Sequence, residues 1–208
     1  EQAFVFCCFN NSYKLGPQVF DVWMRLLYAV PGAVLWLLRD NALTRDNLRR
    51  EAAARGIDPA RLVFAERCSH AAHLARHRLA DIFLDTPGMN AGTTASDALW
   101  MGLPVLTCVG ATLPGRIAAS LVGAVGLPDM GTSALADYEA LALRLAREHA
   151  MLADVKKRLT QNRLTHPLFD TARFTRHLER AYEIMREHTR TGRGPQSFNV
   201  EAIPATRG

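Results

Sequence analysis

The stretch "FLDTPGMNAGTTASDALWMGLPVLT", residues 83–107, decides how the rest of the chain is read. An apolar run ends at Asp85 and opens into a loop holding Gly88, Asn90, Gly92, Thr93 and Thr94. "TASDALWMG" then reads as a helix and "PVLTC" (104–108) as a strand. A plain connection needs fewer glycines and hydroxyls. This composition predicts a loop whose backbone comes close to a ligand.

Outward from this unit the same alternation recurs. "AFVFCCF" (3–9), "AVLWLL" (33–38), "RLVFA" (61–65) and "DIFLD" (81–85) read as strands buried on both faces. Pro17 sits where a first helical residue belongs, and Val19, Val22, Trp23, Leu26, Leu27 and Val30 follow at helical spacing. Thr44 is expected to cap a helix ending near Gly56, and Ser69 to cap the helix "HAAHLARHRLA". "RIAASLVGAV" is helical, and further helices are expected at about 137–149, 151–163 and 172–190. Five strands alternating with helices predict parallel βαβ units, with right-handed crossovers placing helices on both faces of one sheet. The expected fold is α/β: one Rossmann-like lobe over residues 1–190, followed by a flexible tail over 191–208.

Bulk properties narrow the function classes. The 208 residues are 49% hydrophobic, enough for a substantial core, yet no apolar run approaches the roughly 18 residues of a membrane span. The opening "EQAFVFCCFNNSYK" lacks the basic n-region and cleavage site of a secretory signal, and reads as the middle of a protein entered at a strand. Cys7, Cys8, Cys68 and Cys108 show no metal-ligand spacing, which predicts reduced thiols and a cytoplasmic location. The net charge of +5 suits a nucleic-acid binder or an enzyme for a phosphorylated ligand, and with no continuous basic block the charge alone leaves the partner open.

In a parallel sheet of this kind, ligands bind outside the carboxyl ends of the strands. Asn10, Asn11, Ser12, Tyr13 and Lys14 follow the first strand; Cys68, Ser69, His70, His73 and Arg76 follow the third. Asn90, Gly92, Thr93, Thr94 and Asp97 follow the fourth, and Gly110, Thr112 and Arg116 the fifth. Thr93-Thr94 at a helix start offers free N–H groups and the positive dipole end to a phosphate. Lys14 supplies a point charge and Asp97 an acceptor for ribose hydroxyls. Thr94-x-x-Asp97 also matches a capping box. His73 and His77 have the i,i+4 spacing of metal ligands, but on an Arg-rich helix they read as surface or half-buried residues, and no metal is expected. The dinucleotide fingerprint Gly-x-Gly-x-x-Gly does not follow the first strand.

"FNNSYKLGPQVFDVWMRLLYAVPGAVLWLLR", "RLADIFLDTPGMNAGTTASDALWMGLPVLT" and "PLFDTARFTRHLERAYEIM" resemble, in order, the C-terminal catalytic lobe of the O-linked N-acetylglucosamine transferases, bacterial homologues above all. The resemblance implies the donor-binding lobe of a two-lobed GT-B glycosyltransferase, preceded in that family by a second lobe and tetratricopeptide repeats. It assigns Lys14 to the diphosphate and to departure of the UDP leaving group, and Asn11 to a position near that diphosphate. It assigns Thr93 and Thr94 to the phosphates, Asp97 to the ribose, His73 and Arg76 to the uracil, Cys68 to a main-chain contact with uracil, and Leu37 to the sugar pocket. His70 stands in place of a ribose-contacting lysine of the animal enzymes, and Gly92 in place of a histidine that contacts the sugar.

The implied reaction is inverting transfer of GlcNAc from UDP-GlcNAc to serine or threonine hydroxyls of acceptor proteins, with no cofactor. No general base stands out among the strand-end loops. Two other readings keep the same residues: a UDP-sugar epimerase or transferase to a non-protein acceptor, and a non-catalytic module binding nucleotide or nucleic acid.

Overall fold

In the computed structural model, which describes residues 3–203, the apolar runs become strands β1 Val5–Cys8, β2 Val34–Leu38, β3 Leu62–Ala65, β4 Ile82–Leu84 and β5 Val105–Cys108. A sixth strand, β6 Gly131–Thr132, joins the edge beside β5. It is absent from the sequence reading because two residues carry no periodicity. The order is β3-β2-β1-β4-β5-β6, and every pairing is parallel. Consecutive residues Phe6, Cys7 and Cys8, Ile82, Phe83 and Leu84, and Val105 and Leu106 are all buried. Because neighbours on a strand point to opposite faces, the centre of the sheet is covered on both sides.

Helices α1 Pro17–Ala29, α2 Ala42–Ala54, α3 His70–Arg76, α4 Thr93–Trp100 and α5 Ile117–Ala124 alternate with the strands, and α6 Leu135–Arg147, α7 His149–Asn162 and α8 Thr171–Arg190 follow. Pro17 occupies the first position of α1, which buries Val19, Phe20, Val22, Trp23, Met24, Leu26 and Leu27. Each such side chain contributes roughly 1.5–3 kcal/mol by leaving water. The cap of α2 is Asn41, not Thr44: the Asn41 side chain accepts from the Thr44 N–H at 2.8 Å. Both residue types cap well, and the helix starts one residue after the asparagine. Ser69 caps α3 as expected, accepting from the Ala72 N–H.

Residues 191–203 form neither helix nor strand, yet they run beside α8, where the Ile203 N–H donates to His177 Nε2 at 3.0 Å. Residues 204–208 of the expected tail lie outside the described residues. Among the described residues no helix is long and apolar enough to cross a membrane.

Candidate active site

The strand order reverses between β1 and β4, so the loops leaving these two strands diverge and open a crevice at the carboxyl edge. A cleft of about 460 Å³ lies there. Asn11, Lys14, Cys68, His73, Arg76, Gly92, Thr93 and Thr94 all line it, drawn from the ends of β1, β3 and β4. The side chains converge because of topology; Lys14 and Asn90 are 76 residues apart in sequence.

A single turn of 3-10 helix, Ser12–Lys14, aims Lys14 across the crevice, where its Nζ donates to the Asn90 main-chain oxygen at 2.9 Å. On the opposite wall α4 begins after Gly92 with no side-chain cap. Its main-chain ladder starts with the Ser96 N–H on the Gly92 carbonyl at 3.0 Å, so the N–H groups of Thr93 and Thr94 precede it. The capping box suggested by Thr94 and Asp97 is not formed; the Thr94 hydroxyl donates instead to Asn10 Oδ1 at 2.6 Å. An uncapped helix start beside an ammonium is chemically an anion site.

Asp97 lies one turn inside α4, mostly buried, with its carboxylate 3.9 Å from both His73 Nε2 and His70 Nε2. His70 is mostly exposed and sits outside the cleft wall. His73 packs edge-on against Phe9, ring centroids 5.5 Å apart, while the Arg76 guanidinium lies 5.7 Å from the same ring. Burial, and then the Arg76 charge, lower the His73 pKa and favour a neutral imidazole that can meet a flat ring. Arg76 also contacts the Cys68 sulfur and donates to the Glu66 carbonyl at 3.0 Å, tying the loop after β3 to α3. Leu37 is buried and lines a small neighbouring cavity with Cys8, Trp23 and Thr86; Leu38 occupies the cleft wall. His77 is fully buried, its Nδ1 bonded to the His73 carbonyl at 2.9 Å. Among the described residues no group of three or more His, Cys, Asp or Glu side chains is arranged to hold a metal ion.

Beneath the cleft lies a polar network that the sequence does not announce. Asp85, fully buried, accepts from the Ala91 N–H at 2.6 Å, from Asn10 Nδ2 at 3.3 Å and from the Thr107 hydroxyl at 2.7 Å. Its main-chain oxygen accepts from the Tyr138 hydroxyl at 3.0 Å, which in turn accepts from Trp23 Nε1 at 3.1 Å. Burial raises the Asp85 pKa to about 6, against the lowering effect of these donors. The one signal in the sequence is the aspartate placed directly after "IFL", where a buried strand meets its loop.

The model of glycosyl transferase family 41 matches residues 1–178. The chain belongs to that family. Within family 41 it is 40% identical over 201 residues to the Arabidopsis thaliana protein named "Probable UDP-N-acetylglucosamine--peptide N-acetylglucosaminyltransferase SEC", a match covering 96% of this chain and 21% of that one. The UDP-N-acetylglucosamine--peptide N-acetylglucosaminyltransferase of Caenorhabditis elegans is 35% identical over 179 residues, covering 86% of this chain and 16% of the relative. The family 41 chain thus spans about a fifth of the length of these curated relatives. A solved structure of a mutant Thermobaculum terrenum O-GlcNAc transferase superimposes with a TM-score of 0.86 at 33% identity, covering 92% of this chain and 38% of that one. The Listeria monocytogenes structure named "putative UDP-N-acetylglucosamine 2-epimerase" shares the fold alone, with a TM-score of 0.51 at 15% identity. The architecture is that of a Rossmann-like lobe of a GT-B glycosyltransferase.

Proposed function

We propose that this lobe binds the donor of a protein O-GlcNAc transferase, holding UDP-GlcNAc at the β1–β4 crevice for inverting transfer to serine or threonine hydroxyls. The observation that carries the reading is the convergence of Lys14 Nζ and the uncapped start of α4 on one cleft at the switch point. The relatives named as peptide N-acetylglucosaminyltransferases support the substrate class.

In this reading the acceptor oxygen forms a bond to the anomeric carbon while the bond from that carbon to the β-phosphate oxygen breaks. Negative charge then grows on the departing UDP. Lys14 and the N–H groups of Thr93 and Thr94 are positioned to stabilise it, and donors of this kind contribute about a hundredfold or more in rate each. Asp97 takes the ribose, with His73 and Arg76 against the uracil and the main chain at Cys68 contacting the base. Asn11 stands near the diphosphate, and Gly92 leaves the sugar side of the wall open. Leu37 borders the sugar pocket from the small neighbouring cavity that it lines. His70 reaches the ribose through Asp97.

Among the described residues no carboxylate lines the cleft wall itself, and Asp97, 3.9 Å from His73 at its edge, is taken by the ribose in this reading. The base that takes the acceptor proton therefore comes from a complementary lobe or from the donor's own phosphate. That lobe, the tetratricopeptide repeats and a cytoplasmic location belong to the same proposal.

The test is calorimetry of the chain with UDP, UDP-GlcNAc and NAD, followed by a transfer assay with and without the complementary lobe. UDP and UDP-GlcNAc should bind and NAD should not, and transfer should require both lobes. Binding of NAD in preference to UDP overturns the reading.

A further inference from the structure

The hydrogen-bond directions beneath the cleft are fixed by the protons available along one chain. The Thr86 hydroxyl donates to the Met89 carbonyl at 2.8 Å, so towards Asn10 it can only accept. Asn10 Nδ2 supplies that bond at 2.8 Å and a second one to the Asp85 carboxylate at 3.3 Å. Turning the amide over would set its oxygen against a carboxylate and an acceptor. The Asn10 Oδ1 therefore faces α4, where the Thr94 hydroxyl donates to it at 2.6 Å. A hydroxyl has one proton, and that of Thr94 is spent on Asn10. Thr93, exposed on the same wall, makes no such bond among the described residues.

The geometry points to Asn10 and Thr94 acting as a positioning pair: clamped by Asp85 and Thr86, Asn10 holds the Thr94 hydroxyl and pins the start of α4 to the loop that carries Lys14, leaving anion donation to the N–H groups and the Thr93 hydroxyl. This rests on the donor-site reading above, and changes it in one respect. Thr94 serves the phosphate through its main chain and through where it holds the helix, and its hydroxyl makes no bond to a phosphate oxygen. Asn10 sits four residues before Lys14 and bonds the first turn of α4, so the two anion-binding elements share one anchor. Asn10 is buried and Thr94 half-buried, so water does not compete freely for the bond.

The test is UDP titration by calorimetry on Asn10→Ser, Thr94→Val and Thr93→Val, and on the pairs Asn10→Ser/Thr94→Val and Asn10→Ser/Thr93→Val. Circular dichroism melts establish that each variant is folded at the titration temperature. Serine is too short to reach Asp85 and Thr94 together. Asn10→Ser and Thr94→Val should each weaken UDP about fivefold, and the pair should weaken it no further, because both break the same link. Asn10→Ser and Thr93→Val should multiply. A role confined to fold stability would lower melting temperatures without this coupling in affinity. If the Asn10→Ser and Thr94→Val effects multiply, or if Asn10→Ser leaves UDP affinity unchanged, the pair does not act as a unit and the inference fails. Should Asn10→Ser not fold, Thr86→Val takes its place, removing one clamp on the amide, with the same coupling to Thr94→Val expected. A wild-type chain that binds no UDP overturns the donor-site reading itself, an outcome distinct from multiplying effects in a chain that does bind, and it takes the inference with it.

Discussion

The Lys14 ammonium donates to the Asn90 main-chain oxygen over 2.9 Å, so the lysine side chain itself bridges the loops that follow β1 and β4. These loops part at the reversal of strand order, and the bridge joins the bonds of Asn10 with Asp85, Thr86 and Thr94 in holding them together. The same ammonium lines the cleft beside the open start of α4. A second partner, the ligand diphosphate, can share it because an ammonium has three donors.

Lys14→Met keeps the apolar stem and removes the charge. Charge-assisted hydrogen bonds contribute about 1.5–3 kcal/mol, so UDP affinity should fall by roughly tenfold to a hundredfold. In the two-lobed enzyme, turnover should fall by about a hundredfold or more. Calorimetry and a transfer assay check these two expectations. Unchanged turnover would remove Lys14 from the leaving-group role.

Asp97→Ala and His73→Ala address the nucleoside end of the cleft. Asp97 is mostly buried, and among the described residues the nearest basic side chains are the two imidazoles at 3.9 Å, so it retains lone pairs for hydroxyl donors. Each variant should weaken UDP by about tenfold, in line with loss of one hydrogen bond to a charged group or one stacked ring. Asp129→Asn is the control, because Asp129 pairs with Arg158 away from the cleft. If UDP binds both alanine variants as it binds wild type, the nucleoside lies elsewhere.

Much of this site could be read before the fold was known. Lys14, Thr93, Thr94 and Asp97 sit just after apolar strands, and a parallel sheet sends all strand ends to one edge. The Asp85 network could not be read that way. Asn10 and Asp85 are 75 residues apart, and their pairing exists only because β4 lies beside β1. Leu37 and Leu38 show the same limit at finer scale: alternation along a strand assigns them opposite faces, but only the packed sheet tells which face the cleft uses. Asn41 and Thr44 are both good caps, and the tie is broken by where the chain leaves β2.

Asp85 predicts a pH signature. Its folded-state pKa of about 6 lies above the ordinary carboxylate value, so the native protein binds this proton more tightly than the unfolded chain does. The resulting stabilisation is complete below about pH 4 and is lost as the pH rises through about 6, a span of roughly 3 kcal/mol. Asp85→Asn lacks this titration. Its amide nitrogen can face the Thr107 oxygen, after that hydroxyl rotates, while its oxygen keeps the Ala91 N–H. The melting temperature of wild type minus that of Asp85→Asn should therefore fall between pH 4 and pH 7. Groups common to both proteins cancel in the difference, and a flat difference would mean that Asp85 does not titrate in this window.

Tyr138→Phe tests whether α6 supports the cleft from below. The phenol donates to the Asp85 carbonyl and accepts from Trp23 Nε1, and all three residues are buried. Removing the hydroxyl leaves one acceptor and one donor without partners, which costs about 1–3 kcal/mol for each. A chemical-denaturation midpoint well below that of wild type is expected, with UDP affinity of the folded protein little changed because Tyr138 does not line the cleft. A midpoint equal to that of wild type would show that the Trp23–Tyr138–Asp85 chain contributes nothing net.

Gly126→Ala isolates a backbone requirement remote from the site. Gly126 has φ +76°, and a Cβ there would meet the His166 imidazole at 2.5 Å and Asn162 Nδ2 at 2.6 Å. The left-handed conformation and the overlap act together, so a loss of about 1–3 kcal/mol is expected. Gly123, three residues earlier in α5, has open space where a Cβ would sit and no positive φ. Gly123→Ala should be neutral or stabilising by up to about 1 kcal/mol, since alanine is the better helix former. Thermal melts of the two variants measured together decide the matter: equal shifts would mean that neither the turn after α5 nor its contact with His166 limits stability.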